Sequence, residues 1–240
     1  ENLMSKKENT TALVPYLSQY LVISGAETGG GVFDIKENLD GERPEFPTIK
    51  ILHAGVEMFE MAEGEKVDSF EGIILWKGFA MMFWQRSFQE SGGGSPPDCW
   101  SNDMLTPDGS IETPQYPRCG GCPQNRWGSD NKGSGKACKE TRRLFLVLPG
   151  DYLPSKLIIS PGNLKPTLTF FTNLANRGLD YSQVIVRFSL EKVVGKQSKI
   201  AYSGLVFEKV QVITDKGVLT ALKRLRDNNL PVMRALTPEM

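Results

Sequence analysis

"RCGGCPQNRWGSDNKGSGKACK", residues 118–139, holds three of the four cysteines of the chain; the fourth, Cys99, lies upstream in "PPDCW". From Ser91 to Lys139 there is almost no aliphatic periodicity, while Gly, Pro and polar residues abound. About fifty residues without apolar patterning do not belong in a compact domain unless something other than a hydrophobic core orders them. The spacing C-x19-C-x2-C-x15-C supplies that something. A Cys-x2-Cys turn aims two thiolates at one metal, and two further thiolates complete the tetrahedron that Zn²⁺ prefers. Gly120 and Gly121 leave the turn free to fold tightly, and Trp100, Pro123 and Trp127 offer a small shell. Cys99, Cys119, Cys122 and Cys138 are therefore the candidate ligands of a structural zinc ion. Two disulfides, a redox Cys-x2-Cys pair, free thiols and an iron–sulfur cluster are the competing uses of the same residues.

Charge points the same way. The whole chain balances 28 Lys and Arg against 28 Asp and Glu, so net charge gives no argument for a polyanionic partner. Locally the balance breaks: Arg118, Arg126, Lys132, Lys136, Lys139, Arg142 and Arg143 face only Asp130 and Glu140 between residues 118 and 143. Four thiolates and one Zn²⁺ carry net negative charge, which such cations offset. Clustered Lys and Arg also suit phosphates, whose counterions they displace.

Outward from this segment, regular patterning resumes. "FPTIKIL" (46–52), "GVEMFEMA" (55–62), "SFEGIILWKG" (69–78), "RRLFLVLPG" (142–150) and "SKLIISPG" (155–162) read as strands. "FAMMFWQRSF" (79–88) reads as a strand or a buried helical turn. "SQVIVRFSLEKVV" (182–194) and "SKIAYSGLVFEKVQVI" (198–213) form a hairpin across Gly195-Lys196-Gln197. Two helices are predicted. The first is "NLKPTLTFFTNLANRG", with Pro166 near its start, Gly178 past its end, and Leu164, Leu168, Phe171 and Leu174 on its core face. The second is "DKGVLTALKRLRDNN" (215–229), with Val218, Leu219, Leu222 and Leu225 inward. Strands that follow one another this way predict a mainly β, α+β fold with an antiparallel sheet or small barrel. The expected organisation is a single domain over 11–240, interrupted by a zinc-binding insertion over 91–143.

Catalysis finds little support. His53 is the sole histidine, no Gly-x-Ser-x-Gly surrounds a serine, and "GSGKAC" is only superficially a phosphate loop. Glu57, Glu60, Asp68 and Glu71 alternate with apolar positions as a solvent face would, leaving a metal-dependent DNA-processing enzyme as a rival reading. The longest apolar runs, such as "GIILW" and "LFLVL", fall far short of the roughly 20 residues of a spanning helix. "ENLMSKKENTT" lacks a secretory apolar core, so a cytoplasmic location, without membrane association, is the expectation.

Aromatic and basic residues interleave at Trp76-Lys77 and at Trp84-Gln85-Arg86, and Tyr202 falls near Arg187 and Lys199 around the last hairpin. That mixture suits a groove that stacks bases while tracking a phosphate backbone. With Arg126, Lys132, Lys136, Lys139 and Arg142 these are the candidate nucleic-acid contacts.

"CGGCPQNRWGS…GKACKETRRLFLV", then "PGNLKPTLTFFTNLANRGL", "VIVRFSLEKV" and "YSGLVFEKV", resembles a family of phage-encoded single-stranded DNA-binding proteins over roughly residues 95–213. The ordered Cys-x2-Cys-Pro, Trp-Gly-Ser, Gly-Lys-Ala-Cys-Lys and Arg-Arg-Leu elements carry the resemblance. It implies an OB-like antiparallel barrel with a zinc-binding insertion, Cys99, Cys119, Cys122 and Cys138 as zinc ligands, and a role in phage DNA replication or recombination in a bacterial host cell. Single-stranded DNA is then the implied partner, with phage or host replication proteins beside it. "RALTPEM" departs from the acidic tail that such binders often use for recruitment. The expectation is a sequence-nonspecific single-strand binder and not an enzyme; a zinc-ribbon-like protein–protein adaptor is the other alternative.

Overall fold

A computed structural model describes residues 45–52, 55–86, 96–131, 133, 135–151, 153–195 and 201–236. His53, Lys132 and Lys199 lie outside the described residues, as does the turn at 196–197.

The described residues form nine strands: β1 Thr48–Ile51, β2 Phe59–Glu60, β3 Lys66–Val67, β4 Ser69–Phe83, β5 Cys99–Ser101, β6 Lys139–Val147, β7 Ser155–Ile159, β8 Val184–Val194 and β9 Ala201–Val212. They hydrogen-bond in the order β3-β2-β1-β7-β6-β4-β8-β9, with β5 added on β4. Every pairing is antiparallel except β1 with β7, which is parallel. The path has two ends, β3 and β9, and the fold is mainly β with a curled, open half-barrel sheet and a C-terminal helix.

The unbroken apolar runs in the middle strands have a simple cause: both faces of the sheet are covered. Ile74, Leu144, Leu146, Val184 and Val186 point to one face, where they meet Phe170, Phe171 and Leu174 of helix α1, Leu164–Asn176. Ile73, Leu75, Phe145, Val147 and Ile185 point to the other, against Val218, Leu222 and Met233 of α2, Lys216–Ala235. Each such side chain, fully buried, contributes about 1.5–3 kcal/mol. Leu168, expected on the core face of α1, is 53% exposed; Thr167 and Phe170 are buried in its stead. Asn163, just ahead of α1, ties the helix to the sheet: its amide donates to Ser203 O (3.1 Å) and accepts from Leu205 N (2.9 Å). At α2, Asp215 caps the first turn by accepting from Val218 N at 2.9 Å.

β4 organises everything else. Gly78 does not end it, contrary to the sequence reading; the strand runs on to Phe83. Gly78 is there because the Trp76 ring lies over it: a Cβ at 78 would come within 2.4 Å of that ring. Along one edge β4 pairs with β6 from Ile73 to Met82. Along the other it pairs with β8 over Ser69–Ile73 and with β5 over Met81–Phe83. Two strands thus share one edge, with residues 74–80 of β4 between them.

Candidate functional site

The cysteine segment is placed by the far end of β4. Phe83 pairs with Cys99 in β5, and Met82 pairs with Lys139, the first residue of β6. Continuing that register puts Cys138 beside Phe83 on the opposite edge. Cys99 and Cys138 therefore flank the end of β4, two strand spacings or about 10 Å apart across the sheet. Cys119 and Cys122 close over them from consecutive 3-10 turns, Cys119–Gly121 and Pro123–Asn125. The Cys122 amide donates to Cys119 O (3.3 Å), and the Cys119 amide to Leu105 O (3.0 Å). A Cβ at Gly121 would lie 3.0 Å from the ring of the exposed Tyr116, which would have to give by a few tenths of an ångström, whereas Gly120 faces open space.

Hydrogen bonds do for this segment what a core does elsewhere. Asp103 accepts from Leu105 N (2.7 Å), Thr106 N (3.0 Å) and Ser101 Oγ (2.9 Å), holding a loop in which Met104 sits at φ 64°. Asn125 Nδ2 donates to Cys119 O (2.9 Å), and Lys136 Nζ donates to Asn125 Oδ1 (3.1 Å). The Cys138 amide donates to Gln124 O (2.8 Å).

All four cysteines, with Met81 and Phe83 beneath, line one cavity of about 20 Å³. Roughly 10–15 Å³ suffices for one water-sized occupant, so the space suits a single atom. The thiols are free. Burial pushes the Cys138 thiol up to about 12, and the other three cysteines push it the same way. Burial likewise raises Cys119, although a hydrogen bond with Ser101 opposes it. Among the described residues, no group of three or more His, Cys, Asp or Glu is arranged to hold a metal ion as it stands. Four sulfurs nonetheless line one small cavity, a donor set of the soft kind that zinc takes, in surroundings that penalise lone thiolates. Of the expected shell, Trp100 lines the cavity while Pro123 and Trp127 point to solvent.

The expected nucleic-acid contacts do not form one surface. Trp76 is half-buried: it packs against Phe145 (5.6 Å between rings) and the core beneath α2, and also lines a groove between β4 and the cysteine segment. Tyr202 is half-buried over Gly162. Arg187 is held by Glu71 (2.7 Å) and Glu208 (3.2 Å) on the neighbouring strands, and these carboxylates raise its pKa. Trp84 is half-buried and Arg86 exposed, at the edge of the described region. Arg126 and Lys139 are exposed on the cysteine segment, with Lys139 Nζ donating to Lys136 O at 2.6 Å. Arg143, counted with the basic cluster and read at the start of a strand, does lie in β6, where it is only 2% exposed.

Lys77 and Arg142 do come together. Lys77 Nζ lies 4.0 Å from the centroid of the Phe171 ring, and Arg142 lies 4.5 Å over Phe79, its cross-strand partner. Burial lowers the pKa of both; for Lys77 the charge of Arg142 adds to the effect. Among the described residues, no carboxylate stands at ion-pair distance from either, and Arg142 Nε has no hydrogen-bond partner. Phe79 is 40% exposed. Sequence reasoning missed it, although its place opposite Arg142 was open to a register argument. Next to it a groove of about 450 Å³ opens between β4 and the cysteine segment, lined by Trp76, Lys77, Phe79, Asp103, Asp108 and Arg234.

The acidic residues of the enzyme reading are dispersed. Glu60 pairs with Lys50 (3.2 Å), Asp68 accepts from Ser69 Oγ (2.9 Å), and Glu71 is bound to Arg187. Among the described residues no helix is long and apolar enough to cross a membrane. Compared with protein-family models, curated proteins and solved structures, the chain matches none.

Proposed function

We propose that this chain binds single-stranded DNA without sequence preference, on a β scaffold of OB-like kind whose cysteine segment is ordered by zinc. One observation carries the reading: Arg142 stacks over the exposed Phe79, and Phe79 and Lys77 line the groove next to the cysteine cavity. Among the described residues neither cation has a carboxylate at ion-pair distance, although Asp180 and Glu140 act on them from further off. Desolvated against aromatic rings, the two would suit phosphate, and the exposed ring beside them would offer a base a stacking surface.

Cys99, Cys119, Cys122 and Cys138 would hold the zinc. When bound, zinc stabilises four thiolates and so ties the segment into one piece, with structural zinc worth on the order of 10 kcal/mol of folding free energy. The chain's own residues do the rest. β5 and β6 position Cys99 and Cys138 on either side of Phe83, and the Asp103 loop forms the outer wall of the groove.

The test is fluorescence anisotropy of a labelled oligo-dT and of its duplex, titrated with zinc-loaded protein at two salt concentrations. The proposal expects preference for the single strand and affinity that falls steeply with salt. Absence of binding to either form would overturn it.

A further inference from the structure

Trp127 was expected to shelter a metal; it is 79% exposed, the most exposed large apolar residue among those described. The indole is the largest apolar payload a side chain can carry, and solvent is an unfavourable place for it. The backbone that presents it is nonetheless firmly held. Arg126 N donates to Pro123 O (3.2 Å), Gly128 N to Gly135 O (2.8 Å) and Ser129 N to Arg126 O (3.2 Å). Ser129 Oγ lies 2.7 Å from Arg126 O and 2.9 Å from Gln124 O, and it accepts from Ala137 N at 2.9 Å. Gly128 turns the chain directly after the tryptophan with φ +85°, a conformation that favours glycine. The ring is therefore displayed from a rigid loop, which reduces the ordering cost of binding.

Its neighbours are cationic. Lys136 Nζ lies 5.9 Å from the ring centroid, and Arg126 is exposed immediately before it. An exposed aromatic ring on a hydrogen-bonded loop, with one cation near its face and an exposed arginine next to it in sequence, matches an unpaired base with its flanking phosphates.

We infer that Trp127, Arg126 and Lys136 form a second stacking site, on the outer face of the cysteine segment, that takes an unpaired nucleobase of a single strand. The inference rests on the proposed single-strand binding and locates part of it away from Phe79 and Arg142.

The experiment compares wild type, Trp127→Ala, Trp127→Phe, Lys136→Ala and Arg142→Ala by anisotropy on labelled oligo-dT across a salt series, with circular dichroism and thermal melting of each variant. Trp127→Ala is expected to weaken binding about tenfold with an unchanged salt slope, because it removes stacking and no charge. Trp127→Phe is expected to keep most of the affinity. Lys136→Ala is expected to reduce the salt slope by about one. An exposed side chain has little bearing on folding, so Trp127→Ala should melt as the wild type does. Wild-type affinity in a folded Trp127→Ala overturns the inference; if Arg142→Ala is weakened in the same series, the proposed function survives it. Loss of a protein partner without loss of DNA affinity in Trp127→Ala also overturns it. A wild type that does not bind oligo-dT overturns both.

Discussion

Arg143 Nη2 donates to Asn102 Oδ1 at 2.8 Å, joining the middle of the sheet to the loop that opens the cysteine segment. The same guanidinium donates through Nη1 to Leu236 O, 2.8 Å away at the end of α2. Burial pushes its pKa down to about 10, which leaves it charged at neutral pH. One buried cation thus fastens sheet, cysteine segment and C-terminal helix. The carbonyl end of α2 is a favourable place for that charge.

Removing this fastening should be costly. Arg143→Ala leaves a cavity and two orphaned acceptors, and is expected to lower stability by about 3 kcal/mol. Arg143→Met fills most of the space and removes a buried charge, so its loss should be smaller. Urea denaturation of the three proteins under zinc-loaded conditions checks the order.

If the cysteine cavity holds zinc, it is expected to give opposite pH responses with and without metal. In metal-free protein the Cys138 thiol keeps its proton from its ordinary 9.0 up to about 12, while the unfolded chain releases it. The folded state then binds more protons in that window, so stability falls as pH rises above 9, by up to about 1.4 kcal/mol per pH unit for one group. With zinc bound the thiolates belong to the folded state, and stability is lost on acidification instead. Melting temperatures across pH 6–11, with chelator and with zinc, should slope in these two directions.

Asp103→Ala tests the loop wall. Burial raises this carboxyl, but hydrogen bonds from Thr106, Leu105 and Ser101 outweigh burial and hold it below its ordinary 3.8. Its contribution is therefore present above the unfolded value and lost as pH falls through the folded one. The variant should be about 1 kcal/mol less stable at pH 7, and the difference should vanish in strong acid. Thermal melts at both ends of that range decide it.

Two arginines separate a poised cation from a structural one. Arg142→Ala is expected to weaken oligo-dT binding severalfold and to lower the salt slope by about one. Arg187→Ala should leave binding within about twofold, because Glu71 and Glu208 already occupy its guanidinium. Equal effects from the two substitutions would contradict the placement of the interface.

The strands of the core were legible because their apolar runs are long and β-rich, and the helix ends at Pro166 and Gly178 because those residues act locally. The parallel pairing of β1 with β7 was not legible, since nothing in "TIKI" names a distant neighbour. Gly78 misled for a similar reason: it reads as a strand end, yet answers to a ring two residues away. Composition placed Arg143 among solvated cations, and only the register of β6 turns it inward. Trp76 and Trp127 part for the same reason, the first packed against the core and the second in solvent. Burial depends on the face a residue falls on, which spacing around a glycine-rich insertion does not determine. The spacing of the cysteines suggested that they share one place, and the four do line one cavity; their attachment to β4 through Phe83 was not readable.

The most direct test of the central claim, that four cysteines hold one metal and so order the segment, is native mass spectrometry of the full chain after zinc loading and desalting, with the Cys122→Ser variant alongside. The account predicts one zinc per wild-type chain and loss or marked weakening of that adduct in the variant. A wild-type chain lighter by the hydrogens of two disulfides, or one that carries no zinc while remaining folded, would contradict it.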